Sequence, residues 1–279
     1  MREGIKKAVR EGYARIAKRE SSCCFPTSSC CGGGNIAEDL SKRIGYTEEE
    51  IVAVPEGANL GLGCGNPVAL ASLREGETVL DLGSGAGFDC FLAAGKVGKS
   101  GRVIGVDMTP EMIQKARENA KKGNYANVEF RLGEIENLPV SDNSIDVVIS
   151  NCVINLVPDK RRAFMEAFRV LKPGGRLMIS DLVLVQELPD FIKNSVEAYV
   201  GCLSGAIMRD EYIEAIEASG FQEVKIIEET SFLIEFMAND PTAKAIMENL
   251  GVPLEQVKEV GDSVASIKVH GVKPNGTVG

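Results

Sequence analysis

Thr78-Val79-Leu80-Asp81-Leu82-Gly83-Ser84-Gly85-Ala86-Gly87 runs without a spacer from an apolar strand into a glycine loop, and residues 88–94 continue as a helix. Val79, Leu80 and Leu82 read as a buried strand. Gly83, Gly85 and Gly87 let the backbone turn sharply and approach a ligand where a side chain would obstruct. Strand, glycine turn and helix in that order form the first unit of a doubly wound α/β sheet, whose ligands lie at the carboxyl ends of the strands. The loop is G-x-G-x-G, with Phe88 where the last glycine of the dinucleotide fingerprint G-x-G-x-x-G would fall. Asp81 adds a carboxylate just before the turn, which repels a pyrophosphate and suits an ammonium or sulfonium group. Asp107 closes the next strand at about the 20-residue spacing of a group that accepts hydrogen bonds from ribose hydroxyls. Adenosine with a cationic amino-acid tail satisfies both acids.

Outward from this stretch the pattern repeats. Strands are expected at 78–82, 103–107, 128–132, 145–150 and 176–181, separated by helices at 89–97, 110–122 and 160–171. Thr109 and Pro110 are the expected cap and first turn of the second helix. Such alternation implies a mostly parallel sheet with right-handed crossovers. Downstream, 189–204 and 209–219 read as helices, 224–229 and 265–272 as strands, with helical stretches at 241–250 and 254–260 between those strands. Upstream, residues 2–19 carry apolar residues at helical spacing and 36–44 form a second helix. Thr47 and Glu50 form a capping box for a short helix through Val54, and 56–67 is too glycine-rich for a regular element. The expected organisation is residues 1–70 as helices with cysteine and glycine loops, 71–184 as the cofactor-binding core, and 185–279 as acceptor-side helices and strands completing the sheet.

The 279 residues carry 44% hydrophobic side chains and a net charge of -9. That charge argues against nucleic acid or an anionic membrane surface as partner. No apolar run approaches a membrane span, and residues 1–20 are charged throughout, so the expected location is the cytoplasm.

Eight cysteines then read as thiols. Cys23-Cys24 and Cys30-Cys31 are doublets in a Ser/Gly-rich segment, 21–34, expected to be a mobile loop; they lack the C-x-x-C spacing of a zinc site. Cys90 falls inside a helix and reads as a small buried hydrophobe. Cys152 follows the fourth strand, Cys202 lies beyond the fifth, and Cys64 sits in the glycine loop before the first. Thiolates are soft ligands that select thiophilic centres. The lone histidine, His270, is in a late strand, which excludes a His-rich metal site. The charges of Glu48-Glu49-Glu50 and Glu228-Glu229 read as solvated.

From Gly76 to Leu184 the chain resembles the class I S-adenosylmethionine-dependent methyltransferases, a Rossmann-like fold. The resemblance rests on residues 81–87, Gly105-Val106-Asp107, Leu132-Gly133-Glu134-Ile135-Glu136-Asn137-Leu138-Pro139, Ser144-Ile145-Asp146-Val147-Val148 and Leu171-Lys172-Pro173-Gly174-Gly175. Ile145 stands where that superfamily often has an aromatic residue. Residues 55–67, 85–94, 105–110, 150–156 and 201–206 narrow the resemblance to the arsenite methyltransferases. It implies S-adenosylmethionine bound by Asp81, Gly83, Ser84, Gly85, Gly87, Asp107, Met108, Glu134, Ile135 and Asn151. It also implies trivalent arsenic on Cys64, Cys152 and Cys202, with an N-terminal cysteine pairing with Cys64 during turnover. Cys30 and Cys31 are nearest in sequence, and all four loop cysteines stay open as that partner. Arsenite or its thiol conjugates would be the acceptor, with glutathione or thioredoxin as reductant. The alternatives are a methyltransferase of a small organic acceptor such as a quinone, and a non-catalytic thiol-based metalloid binder or sensor.

Overall fold

The computed structural model describes residues 2–18, 36–193, 198–199, 202–231 and 260–276. Helices α1 (Arg2–Lys18), α2 (Ile36–Arg43), α3 (Glu48–Ala53) and α4 (Pro67–Leu70) precede β1 (Thr78–Leu82). The core continues as α5 (Phe88–Val97), β2 (Arg102–Asp107), α6 (Pro110–Lys122), β3 (Val128–Leu132), β4 (Ile145–Asn151) and α7 (Lys160–Val170). Then come β5 (Leu171–Leu184), α8 (Asp190–Lys193), α9 (Arg209–Glu217), β6 (Gln222–Ser231) and β7 (Val264–Val272). The seven strands pair in the order β3-β2-β1-β4-β5-β7-β6. The pairs among β1 to β5 are parallel, and β7 runs antiparallel to both β5 and β6.

The order follows from burial. Val79, Leu80 and Leu82 are fully buried because apolar clusters cover both faces of the sheet, one centred on α7 and α9, the other on α5 and α6. A strand buried on both faces must read as a nearly unbroken apolar run, as β1 does. Because β1 lies between β2 and β4, the chain leaves these neighbouring strands in opposite directions, and a crevice opens at their carboxyl ends. The glycine loop and the Asn151-Cys152-Val153 turn both border it.

Most expected elements form within a residue or two. The capping box is present: the Thr47 side chain accepts from Glu50 N, and the Glu50 carboxylate from Thr47 N. Three elements differ. β5 extends well beyond 176–181, because antiparallel pairing with β7 carries it to Leu184 and Leu171 pairs with Ile145. Thr109 stands at the N-cap of α6 without a side-chain cap, and its main-chain N–H donates to Asp107 instead. α4 was not expected; Pro67 starts it from the end of the glycine loop. Two of the acidic groups read as solvated also have protein partners: Glu50 accepts from Asn66, and Glu228, still exposed, pairs with Lys268 at 3.0 Å. Cys23, Cys24, Cys30, Cys31, the stretch 241–250 and most of 254–260 lie outside the described residues, as do parts of the helix expected at 189–204. No helix among the described residues is long and apolar enough to cross a membrane.

Candidate active site

A cavity of about 420 Å³ occupies the crevice, running from the glycine loop to the cysteines. Its first end is built by the turn after β1. Gly83 N and Ser84 N both donate to Val106 O, at 2.8 and 3.0 Å, so the loop is anchored to β2. All three glycines adopt positive φ, but for different reasons. A Cβ on Gly83 would stand 2.3 Å from Val153, and one on Gly87 2.7 Å from Phe130, whereas a Cβ on Gly85 would meet nothing within 4 Å. Gly85 therefore borders open space, and Gly87, which does not line the cavity, serves the packing of α5. The Ser84 hydroxyl is buried with no hydrogen-bond partner among the described residues.

Asp107 accepts from Gly85 N at 3.0 Å with one carboxylate oxygen and from Thr109 N at 2.8 Å with the other, leaving lone pairs directed at the cavity. Burial pushes its carboxyl up against those bonds and one from the Thr109 side chain. Asp81 is raised well above the usual carboxylate range, first by burial and then by the charge of Asp89. The Cys90 thiol, buried as expected, donates to Asp81 Oδ2 at 3.2 Å. Met108, Glu134 and Ile135 line the same end. An orphaned hydroxyl, a paired carboxylate with free lone pairs, a buried acid awaiting a cation and an open glycine suit an adenosyl sulfonium cofactor with an amino-acid tail.

Thiols form the other end. Cys64 Sγ, Cys152 Sγ and a carboxylate oxygen of Asp181 lie within 4.8 Å of one another. Cys202 Sγ is turned toward Cys152 O at 3.0 Å, beside this trio. Cys152 and Cys202 both hold positive φ, 56° and 65°, a conformation costing roughly 1–3 kcal/mol in a residue with a Cβ. Their backbones are held there by Cys152 N to Ser180 O and Cys202 N to Tyr199 O. The thiols sit in an apolar cluster with Val9, Leu156 and Leu182. Burial pushes the Cys64 thiol up. The bond from Cys152, then burial, raises Cys202. For Cys152 the bond with Cys202 lowers the thiol, but the bond with Cys64 and burial outweigh it.

Asp181, at the carboxyl-edge portion of β5, is a site residue that spacing did not single out. It accepts from Asn155, Leu182 N and Tyr212, and burial against those bonds brings it to about 6. Tyr46 and Asp89 were also missed: Tyr46 falls between the helices expected at 36–44 and from Thr47, and Asp89 falls in a stretch read for its helix. They bind Asn151, whose polar atoms are engaged by Tyr46, Asp89, Gly65 and Cys64. α1 covers the cavity from above: Lys6 pairs with Glu134 at 2.7 Å and Glu136 at 2.6 Å, while Tyr13 reaches Cys202. The helix thus touches both ends of the site. His270 lies on β7 and does not line it.

Residues 73–229 match the methyltransferase domain family. The chain is 49% identical to an arsenite methyltransferase of Halobacterium salinarum, over 85% of this chain and 63% of that protein. It is 35% identical to one of Aquipseudomonas alcaligenes, over 88% of this chain and 68% of the relative. Against an arsenic(III) S-adenosylmethionine methyltransferase from Chlamydomonas reinhardtii the structures agree with a TM-score of 0.63 at 32% identity, covering 88% of this chain and 76% of that one. The chain thus spans 63% and 68% of the lengths of these two curated relatives. By fold, by sequence and by the cysteines that meet at its crevice, it belongs to the arsenite methyltransferase family of class I methyltransferases.

Proposed function

We propose that this chain methylates trivalent arsenic, arsenite and methylarsenite, with Cys64, Cys152 and Cys202 as the arsenic ligands. The observation that carries the reading is the convergence of these thiols at one end of a cavity whose other end suits S-adenosylmethionine. The cofactor supplies an electrophilic methyl group on a sulfonium sulfur, and the lone pair that arsenic retains on three thiolates is the nucleophile.

The protein's part is binding and alignment. On loading, each thiol proton leaves with a hydroxide of arsenite as water, or with the thiolate of a conjugate as thiol, so raised thiol pKa values are no obstacle. Turning Cys202 from the Cys152 carbonyl into the cluster supplies the third sulfur. No lone pair has to be uncovered by a base at the transfer step, which agrees with a site without histidine. Catalysis then rests on holding arsenic and methyl carbon in line at about 3–3.5 Å. Asp81 holds the ammonium, Gly83, Ser84 and Gly85 the methionine part, Asp107 and Met108 the ribose side, and Glu134 and Ile135 the adenine. Methyl transfer leaves arsenic pentavalent; Cys64 and a loop cysteine, with Cys30 or Cys31 among the candidates, give it two electrons as they pair in a disulfide, and a thiol of the glutathione or thioredoxin class delivers arsenic and reduces that disulfide.

The test is incubation with arsenite, S-adenosylmethionine and thiol followed by separation of arsenic species. Methylated arsenic is expected from the native chain, and a loss of at least a hundredfold in rate from Cys152→Ser or Cys202→Ser, on the scale of misplacing a reactant. Undiminished methylation by either variant would remove it from the ligand set.

A further inference from the structure

Asn151 ends β4 and stands immediately before Cys152. Its Oδ1 accepts the main-chain N–H of Cys64 at 3.1 Å and lies 3.8 Å from Cys64 Sγ, while its Nδ2 donates to Gly65 O at 2.8 Å. One side chain therefore grips the Cys64 loop on both sides and roots it next to the second thiol. The loop is pressed against this support: a Cβ on Gly63 would stand 2.9 Å from Asn151 Nδ2, and one on Gly65 2.1 Å from Ser180 Oγ.

What fixes the amide in this orientation lies behind it. Nδ2 also faces Asp89 Oδ2 at 3.1 Å and Tyr46 Oη at 2.9 Å, so its two protons are shared among three acceptors. Tyr46 Oη donates its own proton to Asp89 Oδ1 at 2.6 Å, which leaves its oxygen free to accept. An ionised carboxylate offers acceptors alone. Flipping the amide would aim Oδ1 at Asp89 and Nδ2 at the Cys64 N–H, acceptor to acceptor and donor to donor. Asp89 and Tyr46 thus select the flip that holds Cys64. Both are nearly fully buried, and Asp89 stands in the first turn of α5, two residues past the glycine loop.

We propose that Asp89 and Tyr46 are positioning residues for the Cys64 thiol, acting through the side-chain amide of Asn151 and setting its place relative to Cys152. The amide then serves the acceptor half of the site rather than the cofactor, which replaces the role the resemblance implies for Asn151. The assignment rests on the arsenic-methylating reading above. Without the brace, the Cys64 loop regains freedom that arsenic binding must remove, so the loss falls on arsenic affinity. The hydroxyl of Tyr46 is engaged by Asp89 and Asn151, so its removal bears on the Cys64 loop before it bears on S-adenosylmethionine.

Tyr46→Phe removes the hydroxyl and keeps the ring against Phe88, at 4.7 Å between centroids; Asp89→Asn keeps the volume and removes the acceptor-only carboxylate. Calorimetric titration with arsenite and, separately, with S-adenosylmethionine is read beside arsenite KM and kcat. The expected result is an arsenite Kd and KM raised about tenfold in each variant, the scale of a lost bond to a charged group, with the S-adenosylmethionine Kd changed less than about twofold in Tyr46→Phe; Asp89→Asn is read on arsenite alone, because the Asp89 charge also acts on Asp81. Unchanged arsenite affinity in either variant, or a parallel fall in affinity for S-adenosylmethionine in Tyr46→Phe, overturns the assignment. Should Asp89→Asn fail to fold, Tyr46→Phe carries the test. A native chain that binds both ligands but yields no methylated arsenic overturns the proposed function, while the two binding titrations still decide the brace.

Discussion

At the residue scale, Asp81 shows how a fold-defining stretch also sets ligand chemistry. It is 3% exposed, its carboxyl is raised well above the usual range by burial and by Asp89, and its described partner is a neutral thiol. A cation placed beside it would favour the ionised form, so if Asp81 receives the cofactor's ammonium as proposed, binding draws its pKa down and releases a proton wherever the acid is still protonated. Calorimetry of S-adenosylmethionine binding across a series of pH values, in buffers of different ionisation enthalpy, should show net proton release that Asp81→Asn abolishes while weakening affinity at least tenfold, as expected for a lost charged bond. Buffer-independent enthalpies in the native chain would place the cationic group elsewhere.

At the scale of elements, the loop of residues 56–67 is held between α4 and the carboxyl ends of β4 and β5. It has no regular structure of its own, so its shape is imposed by what it touches: Asn151 on one side, Ser180 and Ser266 on the other. Gly65 is the tightest point, because any Cβ there would overlap the Ser180 hydroxyl. Gly65→Ala should cost on the order of 1–3 kcal/mol, the usual penalty of overfilling a packed site, and urea unfolding of that variant measures it. A midpoint equal to the native one would mean that the loop shifts freely, and with it Cys64. Gly85→Ala makes a contrast: there is room for its methyl, so its penalty comes from a backbone held at φ 52°.

For the whole molecule, buried acids at the crevice set part of the pH dependence. Asp89 is raised to about 6 by burial, against the bonds from Tyr46 and Asn151. The native state then binds more protons than the unfolded chain between about pH 4 and pH 6. Its contribution to stability falls as pH rises through that window and is flat above it, by on the order of 3 kcal/mol in total. Glu129 works oppositely in a separate window: Arg131, beside it, holds it down to about 2, so its contribution is present near neutrality and lost in acid. Urea midpoints from pH 4.5 to 7 should therefore decline less steeply in Asp89→Asn than in the native chain. Equal slopes would mean that Asp89 titrates normally.

The strands, α5 to α7 and the placing of Asp81, Asp107, Cys64, Cys152 and Cys202 around the crevice were legible because each depends on local pattern. An apolar run long enough for a strand, glycines where φ turns positive, and an acid at a strand end are properties of neighbouring residues. By itself the sequence determined a doubly wound sheet and pointed to a cofactor with a cationic tail and to thiols rather than histidine as the candidate ligands. Tertiary structure decided which groups meet. Asp181 joins Cys64 and Cys152 because β5 lies beside β4, and Tyr46 and Asp89 reach Asn151 across separations of 105 and 62 residues. Such contacts leave no periodic trace, since a single hydrogen bond across the fold constrains one position on each segment and nothing around it.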